Sequence, residues 1–172
     1  MRGTTMMAVS LGLAALAGCA VPPRAPATGP VKAEMGLSDL PAGVRAAALA
    51  AEPGFVITEA EHELRNGVDY YDVGGRTAAG VEIEFDITRV DGVWTVVERQ
   101  RDIAMTEVPK PVLKALFADD PGFPVDRVIE SDQGGGVIIY EFFAPGPGGK
   151  PVKKEVKYEG GTAELLTAEW VH

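Results

Sequence analysis

A sequence repeat is the feature that most constrains how this chain can fold. Residues 38–44 (SDLPAGV) are echoed by residues 106–112 (TEVPKPV), and the segment PGF at 53–55 returns with the same spacing at 121–123. Internal repeats of this kind indicate that one supersecondary unit is built twice. Each copy opens with a hydroxyl residue, an acid, an aliphatic residue and a proline, so we expect the same structure to follow in both copies.

The opening of each copy predicts a short amphipathic helix. A proline is tolerated in the first helical turn, and an upstream Ser or Thr can accept a hydrogen bond from the free amides there. Val44 and Ala47 then follow at helical spacing, and residues 112–117 carry a wider apolar stripe in the second copy. The Pro-Gly pairs at 53–54 and 121–122 are expected to end these helices.

After each helix, apolar and polar residues alternate, which is typical of strands with one buried and one exposed face. Turn signals such as Asn66-Gly67 and Asp91-Gly92 separate the runs. The sequence therefore predicts an α+β fold of two tandem units, 38–104 and 105–172, each with one helix packed on about four antiparallel strands. The predicted strands are 56–65, 68–74, 80–89 and 93–101 in the first unit, and 124–131, 137–144, 150–158 and 162–170 in the second.

These features resemble the PepSY-like modules, which belong to the same broad fold group as the beta-lactamase inhibitory protein. The resemblance lies in a helix that opens with aliphatic-Pro, in the Pro-Gly break, and in hairpins that end in a strand such as residues 80–86 (GVEIEFD). The second unit departs from the pattern in its Lys-rich third strand and in its longer loop at 145–149. The resemblance implies an extracytoplasmic binding or inhibition module, and it supplies no catalytic residue.

The N-terminal segment predicts export and lipid anchoring. The apolar run at 6–17 is about as long as the core of a signal peptide and too short to span a bilayer. It leads into residues 16–19 (LAGC), which resemble the bacterial lipobox. We therefore expect residues 1–18 to be a signal peptide and Cys19 to carry the acyl chains that hold the mature protein at a membrane. By the same resemblance, an Asp directly after the lipidated cysteine would indicate retention in the inner membrane. Ala20 stands at that position, so we expect the outer membrane, facing the periplasm.

Composition and motifs argue against several kinds of chemistry. The formal net charge of −9 disfavours nucleic-acid binding, because phosphates would be repelled. His62 cannot share a metal ion with its neighbours Glu61 and Glu63, since adjacent side chains of a strand point to opposite faces. Neither a Gly-x-Ser-x-Gly motif nor a P-loop is present in the sequence. We expect no metal site, no cofactor and no enzymatic activity.

One predicted strand offers a candidate binding surface. Glu82, Glu84 and Asp86 share a strand face, which is either simply solvated or holds Ca²⁺ or a basic partner peptide; the absence of an Asp-x-Asp-x-Asp-Gly loop disfavours calcium. If Tyr71 points into the core, Tyr70 joins this acidic row on the open face. Aromatic side chains give a protein partner a large contact area. The candidate partner-binding residues are therefore Tyr70, Glu82, Glu84 and Asp86.

Two classes of function remain after these exclusions. The first is a non-catalytic envelope lipoprotein whose folded part recognises a protein or peptide partner. The second is a structural or assembly lipoprotein of the outer membrane, in which the anchor and the Pro- and Ala-rich tether at 19–37 matter most. Both classes place the chain at a membrane through the lipid on Cys19.

The lipid anchor gives the first testable prediction. Intact mass measurement of the native protein should show a mature chain that begins at Cys19 and carries fatty acyl groups, because that cysteine follows the predicted cleavage site. Cys19→Ser should abolish the acyl mass and release the protein from the membrane fraction. An unacylated native protein whose N-terminus lies elsewhere would contradict the predicted placement.

Overall fold

The computed structural model describes residues 31–170, which form one antiparallel sheet of nine strands with two helices. Each strand pairs with the next one along the chain, so the spatial order of the strands is their order in the sequence. The helices are α1 (Ala42–Ala51) and α2 (Lys110–Asp119). The strands are β1 (Val31–Glu34), β2 (Val56–Arg65), β3 (Val68–Arg76), β4 (Glu82–Val90), β5 (Val93–Ile103), β6 (Arg127–Asp132), β7 (Val137–Ala144), β8 (Val152–Glu159) and β9 (Thr162–Leu165).

Tight turns set the register of the first strands. Asn66 and Gly67 join β2 to β3 and both have positive φ, as do Asp91 and Gly92 between β4 and β5. This is the conformation that a two-residue type I′ turn requires, and its twist matches that of the flanking strands. The register that follows places apolar pairs on one face of the sheet and charged pairs on the other.

The apolar face carries both helices and two separate hydrophobic clusters. In the first cluster, Val44 and Ala48 of α1 pack with Phe85 of β4. In the second, Val112 and Leu116 of α2 pack with core residues that include Phe142 of β7. Burial of large apolar side chains under each helix supplies the main stabilising free energy of the fold. The opposite face, which we call the open face, carries neither helix.

The predicted fold class, two tandem units that each pack one helix on about four strands, is wrong, because all nine strands form a single sheet. Strand β5, which ends the first repeat, pairs with β6, which begins the strands of the second, from Arg99 opposite Asp132 to Ile103 opposite Val128. An exposed edge on β5 would leave backbone amides and carbonyls unpaired, and pairing with β6 satisfies them. The repeat is therefore visible as two helices and two clusters on a single continuous sheet.

Strand β1 lies within residues 19–37, which the sequence predicts as a tether. Lys32 and Glu34 of β1 stand opposite Glu63 and Glu61 of β2, so the end of that segment is part of the sheet. The signal peptide at 1–18, Cys19 and the rest of the tether lie outside the described residues. Across the described part of the chain, neither helix has the length and apolar character needed to cross a membrane.

The continuous sheet leads to a prediction about stability. Phe142→Ala should lower the free energy of unfolding by ~3–5 kcal/mol, because it empties a fully buried position in the second cluster. Unfolding should nevertheless remain a single transition, since β5 and β6 join both halves. Circular dichroism measures this together with the fluorescence of Trp94, which packs against the first cluster, in a Trp170→Phe background that leaves Trp94 as the one tryptophan of the sequence.

The matched control is Phe143→Ala, on the open face of the same strand, where the ring is only half-buried beside Arg127. Its cost should stay below about 1.5 kcal/mol. Two separate transitions, with Trp94 fluorescence unaffected by Phe142→Ala, would contradict coupled unfolding of the two halves.

Candidate functional site

The open face holds a groove of about 490 Å³. Its lining residues come from β1 to β8 and from the segment that follows β9. Because β1 and β8 line the same cavity although six strands lie between them, the sheet curves around its open face. Eight carboxylates and three cationic side chains line the groove: Glu63, Asp72, Glu84, Asp86, Glu98, Glu141, Glu155 and Glu169, with Lys32, Arg65 and Lys153.

Three carboxylates meet at the centre of this groove. Asp72 of β3 stands directly opposite Asp86 of β4, and Glu84 lies two residues before Asp86 on the same strand face. One oxygen from each of the three lies within 4.8 Å of the others. Asp72 is only 3% exposed and Asp86 only 4%. Strand pairing therefore concentrates negative charge at a place that water reaches poorly.

The surroundings raise the pKa values of these central acids. Burial, followed by the charges of Asp72, Glu98 and Glu84, raises the pKa of Asp86 to about 9, and the nearby Arg65 offsets only part of this effect. Burial and the charge of Asp72 also raise the pKa of Glu84. Both shifts show that the ionised forms are destabilised where they stand, so a cation brought to this place would be attracted.

Lys32 neutralises one end of the groove. Its Nζ lies 2.7 Å from Oδ2 of Asp72 and 2.7 Å from Oε2 of Glu61. Burial alone would lower the pKa of the Lys32 ammonium, but its hydrogen bonds to Asp72 and Glu61 raise it. The other oxygen of Asp72, Oδ1, is buried and has no hydrogen-bond partner among the described residues.

Lys153 neutralises the other end of the groove. Its Nζ lies 3.0 Å from Oε1 of Glu141, 2.7 Å from Oε1 of Glu155 and 2.7 Å from Oε1 of Glu169. Glu155 is almost fully buried, whereas Glu169 is largely exposed. One lysine at each end thus compensates part of the negative charge, and the central acids lie between these two ion-pair clusters.

The chain after β9 crosses the open face instead of continuing the strand predicted at 162–170. The backbone amide of Trp170 donates to Oε2 of Glu155 at 2.6 Å, and its indole Nε1 donates to Gln133 at 3.0 Å. Gln133 donates to Ser131 at 2.6 Å, and the Ser131 hydroxyl donates to Glu98. A polar network therefore connects the C-terminal segment with the central part of the groove.

The four predicted partner-binding residues share the open face but separate into two groups. Glu84 and Asp86 line the groove. Glu82 is exposed and forms an ion pair with Arg76 at the end of the strand pair. Tyr70 is half-buried, with the Arg65 guanidinium 4.5 Å from its ring centre. Arg65 therefore connects Tyr70 with the groove.

Sequence reasoning missed Asp72, the residue that completes the central acidic group. Alternation along β3 puts Asp72 on the same face as Tyr70, so the sequence pattern alone predicts which face of the sheet Asp72 occupies. Its position opposite Asp86 depends on the register of two strands, which the alternation does not determine. Glu98 and Glu63 were missed for the same reason.

His62 lies apart from the groove. Its Nε2 is 2.7 Å from Oδ1 of Asp69, and its ring contacts Tyr71 with centroids 4.9 Å apart. Its neighbours Glu61 and Glu63 instead share a face with Lys32 and Glu34 of β1. These three consecutive residues therefore do not form one ligand set.

No protein-family model matches the chain, and none of the curated proteins searched matches it. The resemblance to the PepSY-like modules thus stays a prediction.

The raised pKa of Asp86 predicts how stability depends on pH. In the unfolded chain an aspartate ionises near pH ~3.9, whereas Asp86 in the fold keeps its proton until about pH 9. The fold binds more protons than the unfolded chain between these values, so this group's contribution to stability falls as pH rises through that window. In chelator-containing buffer, Asp86→Asn should raise the free energy of unfolding at pH 8.5 by about 1–3 kcal/mol relative to the unsubstituted chain.

At pH 4 the same substitution should have little effect, because Asp86 is protonated in the fold and about half protonated in the unfolded chain. Glu82→Gln, on the same strand face but exposed, is the control, and its effect should stay within about 0.5 kcal/mol at both pH values. Urea unfolding followed by circular dichroism measures all of these quantities. An Asp86→Asn chain that is less stable than the unsubstituted chain at pH 8.5 would disprove the assigned charge repulsion.

Proposed function

We propose that this protein is a lipid-anchored binding module of the cell envelope, whose groove captures a basic, extended segment of a partner protein. The observation that carries the proposal is the groove on the open face, where eight carboxylates face three cationic side chains. The face opposite is covered by the two helices. The groove is thus the surface with both the shape and the charge to receive a cationic chain.

Charge complementarity supports a basic partner over a neutral or acidic one. Burial raises the pKa values of Asp86 and Glu84, and the charge of the neighbouring Asp72 raises them further. A lysine or arginine side chain placed there compensates that repulsion, and the reduced dielectric constant strengthens the attraction. An acidic segment would add to the repulsion, so the groove discriminates by the sign of charge.

The shape of the groove suits an extended segment. Its lining extends from Lys32 on β1 to Lys153 on β8, so a bound chain would cross several strands. Trp170, which is half-buried, adds apolar surface beside the acids. An aromatic side chain bordered by charged groups is a common anchor in protein interfaces. Basic side chains would contact the central acids, and an apolar one would contact Trp170.

The mode of attachment completes the proposal. A lipid on Cys19, as the lipobox resemblance implies, would hold the groove close to a membrane and thus near envelope proteins.

The groove's two lysines are engaged in ion pairs with its own carboxylates, an arrangement that suits recognition through charge. We therefore propose a non-catalytic role.

A peptide-binding measurement tests this function. The probe is a short fluorescein-labelled peptide of alternating lysine and alanine, compared with a peptide in which glutamine replaces lysine. Fluorescence anisotropy with the complete chain, in chelator and at low salt, should show binding of the lysine peptide that weakens as salt is added. Glu84→Lys should weaken that binding at least about tenfold, equivalent to ~1.4 kcal/mol, because it reverses a charge inside the groove.

The matched control is Glu164→Lys, which makes the same charge change at an exposed position of β9 outside the groove lining. Its affinity should stay within about twofold of the unsubstituted chain. Circular dichroism should show that both variants are folded. Equal binding of the lysine and glutamine peptides, or equal losses in both variants, would refute a groove that selects basic segments.

A further inference from the structure

We infer that the centre of the groove binds a divalent metal ion through the carboxylates of Asp72, Glu84 and Asp86, and that Ca²⁺ is the ion these ligands fit. Metal binding at this place does not require peptide capture, but it uses the same central acids that basic side chains would contact, so Ca²⁺ and a basic segment would compete for them. It also revises the expectation from sequence, in which an acidic row without a calcium-loop motif carried no metal.

The spacing of the three carboxylates matches a single bound ion. One oxygen from each residue lies within 4.8 Å of the other two. Ca²⁺ binds oxygen ligands at ~2.3–2.6 Å, so three ligands spread evenly around one ion stand about 4.0–4.5 Å apart. The three carboxylates are therefore close enough to share one ion after at most small side-chain shifts.

An unsatisfied oxygen gives independent support for a ligand at this place. Asp72 is only 3% exposed, and its Oδ1 has no hydrogen-bond partner within residues 31–170. Its other oxygen, Oδ2, is engaged by Lys32 at 2.7 Å. Leaving a buried carboxylate oxygen without a partner is unfavourable. An ion between Asp72 and Asp86 would supply the missing partner.

The balance of charge at the centre also favours a cation with two positive charges. Lys32 is shared between Asp72 and Glu61, and the Arg65 guanidinium lies 2.7 Å from Glu63 but 3.9 Å from Asp86. These two cations serve carboxylates on both sides, so the three central acids, when ionised, carry more negative charge than these cations offset. A divalent ion would neutralise most of that excess.

The donor set distinguishes the type of ion. All three candidate ligands are carboxylates, and neither histidine nor cysteine occurs among the residues that line the groove. Hard oxygen donors favour Ca²⁺ or Mg²⁺ over zinc or copper. Ca²⁺ accepts irregular coordination with added water, whereas Mg²⁺ requires near-octahedral geometry. Three acids on paired strands beside an open groove, with room for water ligands, suit Ca²⁺ better.

Titration with the metal alone tests the inference. The complete chain, stripped of metal with chelator and returned to chelator-free buffer, is titrated with CaCl₂ and separately with MgCl₂ in a calorimeter. We expect saturable binding of a single Ca²⁺ with weaker binding of Mg²⁺, and a higher thermal unfolding temperature in the presence of Ca²⁺. Asp72→Asn should weaken Ca²⁺ binding at least tenfold, because it removes one ligand charge.

Glu164→Gln removes one carboxylate from the same face outside the groove, and it should leave Ca²⁺ binding unchanged. If Asp72→Asn does not fold, Glu84→Gln provides the same test at a less buried ligand. Absence of saturable heat together with an unchanged unfolding temperature would overturn the inference, as would an equal loss in Glu164→Gln. Because the peptide assay is run in chelator, its outcome is independent of this one.

Discussion

The pairing of β5 with β6 is the contact on which the rest of the structure depends. It turns two copies of a repeated sequence into one sheet, and it puts both helices on the same side of that sheet. Within residues 31–170, no helix covers the other side. A groove lined from β1 to β8 exists only because this junction is continuous. Two separate sheets would each have offered a smaller and flatter face.

The chemistry of the groove follows from a conflict between burial and charge. Asp72 and Asp86 are placed opposite each other by the same register that pairs Val73 with Phe85 in the first cluster. Gaining that apolar contact therefore brings two acids together on the reverse side. Lys32 and Lys153 relieve the repulsion at the ends, and the centre keeps an affinity for added positive charge. Local conflicts of this kind, in which charged groups are destabilised where they stand, are expected at functional sites.

Much of the secondary structure was predictable because it depends on local sequence. Pro-Gly pairs end both helices, and the turns at Asn66-Gly67 and Asp91-Gly92 lie between the predicted strands. The pairing of β5 with β6 was not predictable. The edge of either strand could have been covered by a helix or a loop, and no local sequence signal distinguishes these arrangements. Strand β1 was hidden in a Pro-rich segment, because its four residues are held by pairing with β2 and by Lys32.

Part of the candidate site was likewise predictable from local sequence, and the rest depends on how the strands pair. Alternation on one strand places Glu84 and Asp86 on a common face, and the structure brings them into the groove. Asp72 and Glu98 reach Asp86 from neighbouring strands, so their contribution depends on register and on the bulge between β4 and β5. The contact of Trp170 with Glu155 depends on the chain leaving the sheet after Leu165, which the pattern at 162–170 did not indicate.

The lengths of the outermost strands have a consequence of their own. β1 and β9, at the two edges of the sheet, have four residues each, whereas the interior strands have six to eleven. An open sheet is prone to self-association because its edges present unpaired backbone groups to other molecules. Over the described residues 31–170, the wide sheet presents two short edges. The protein thus keeps a broad, accessible surface while offering little template for polymerisation into fibres.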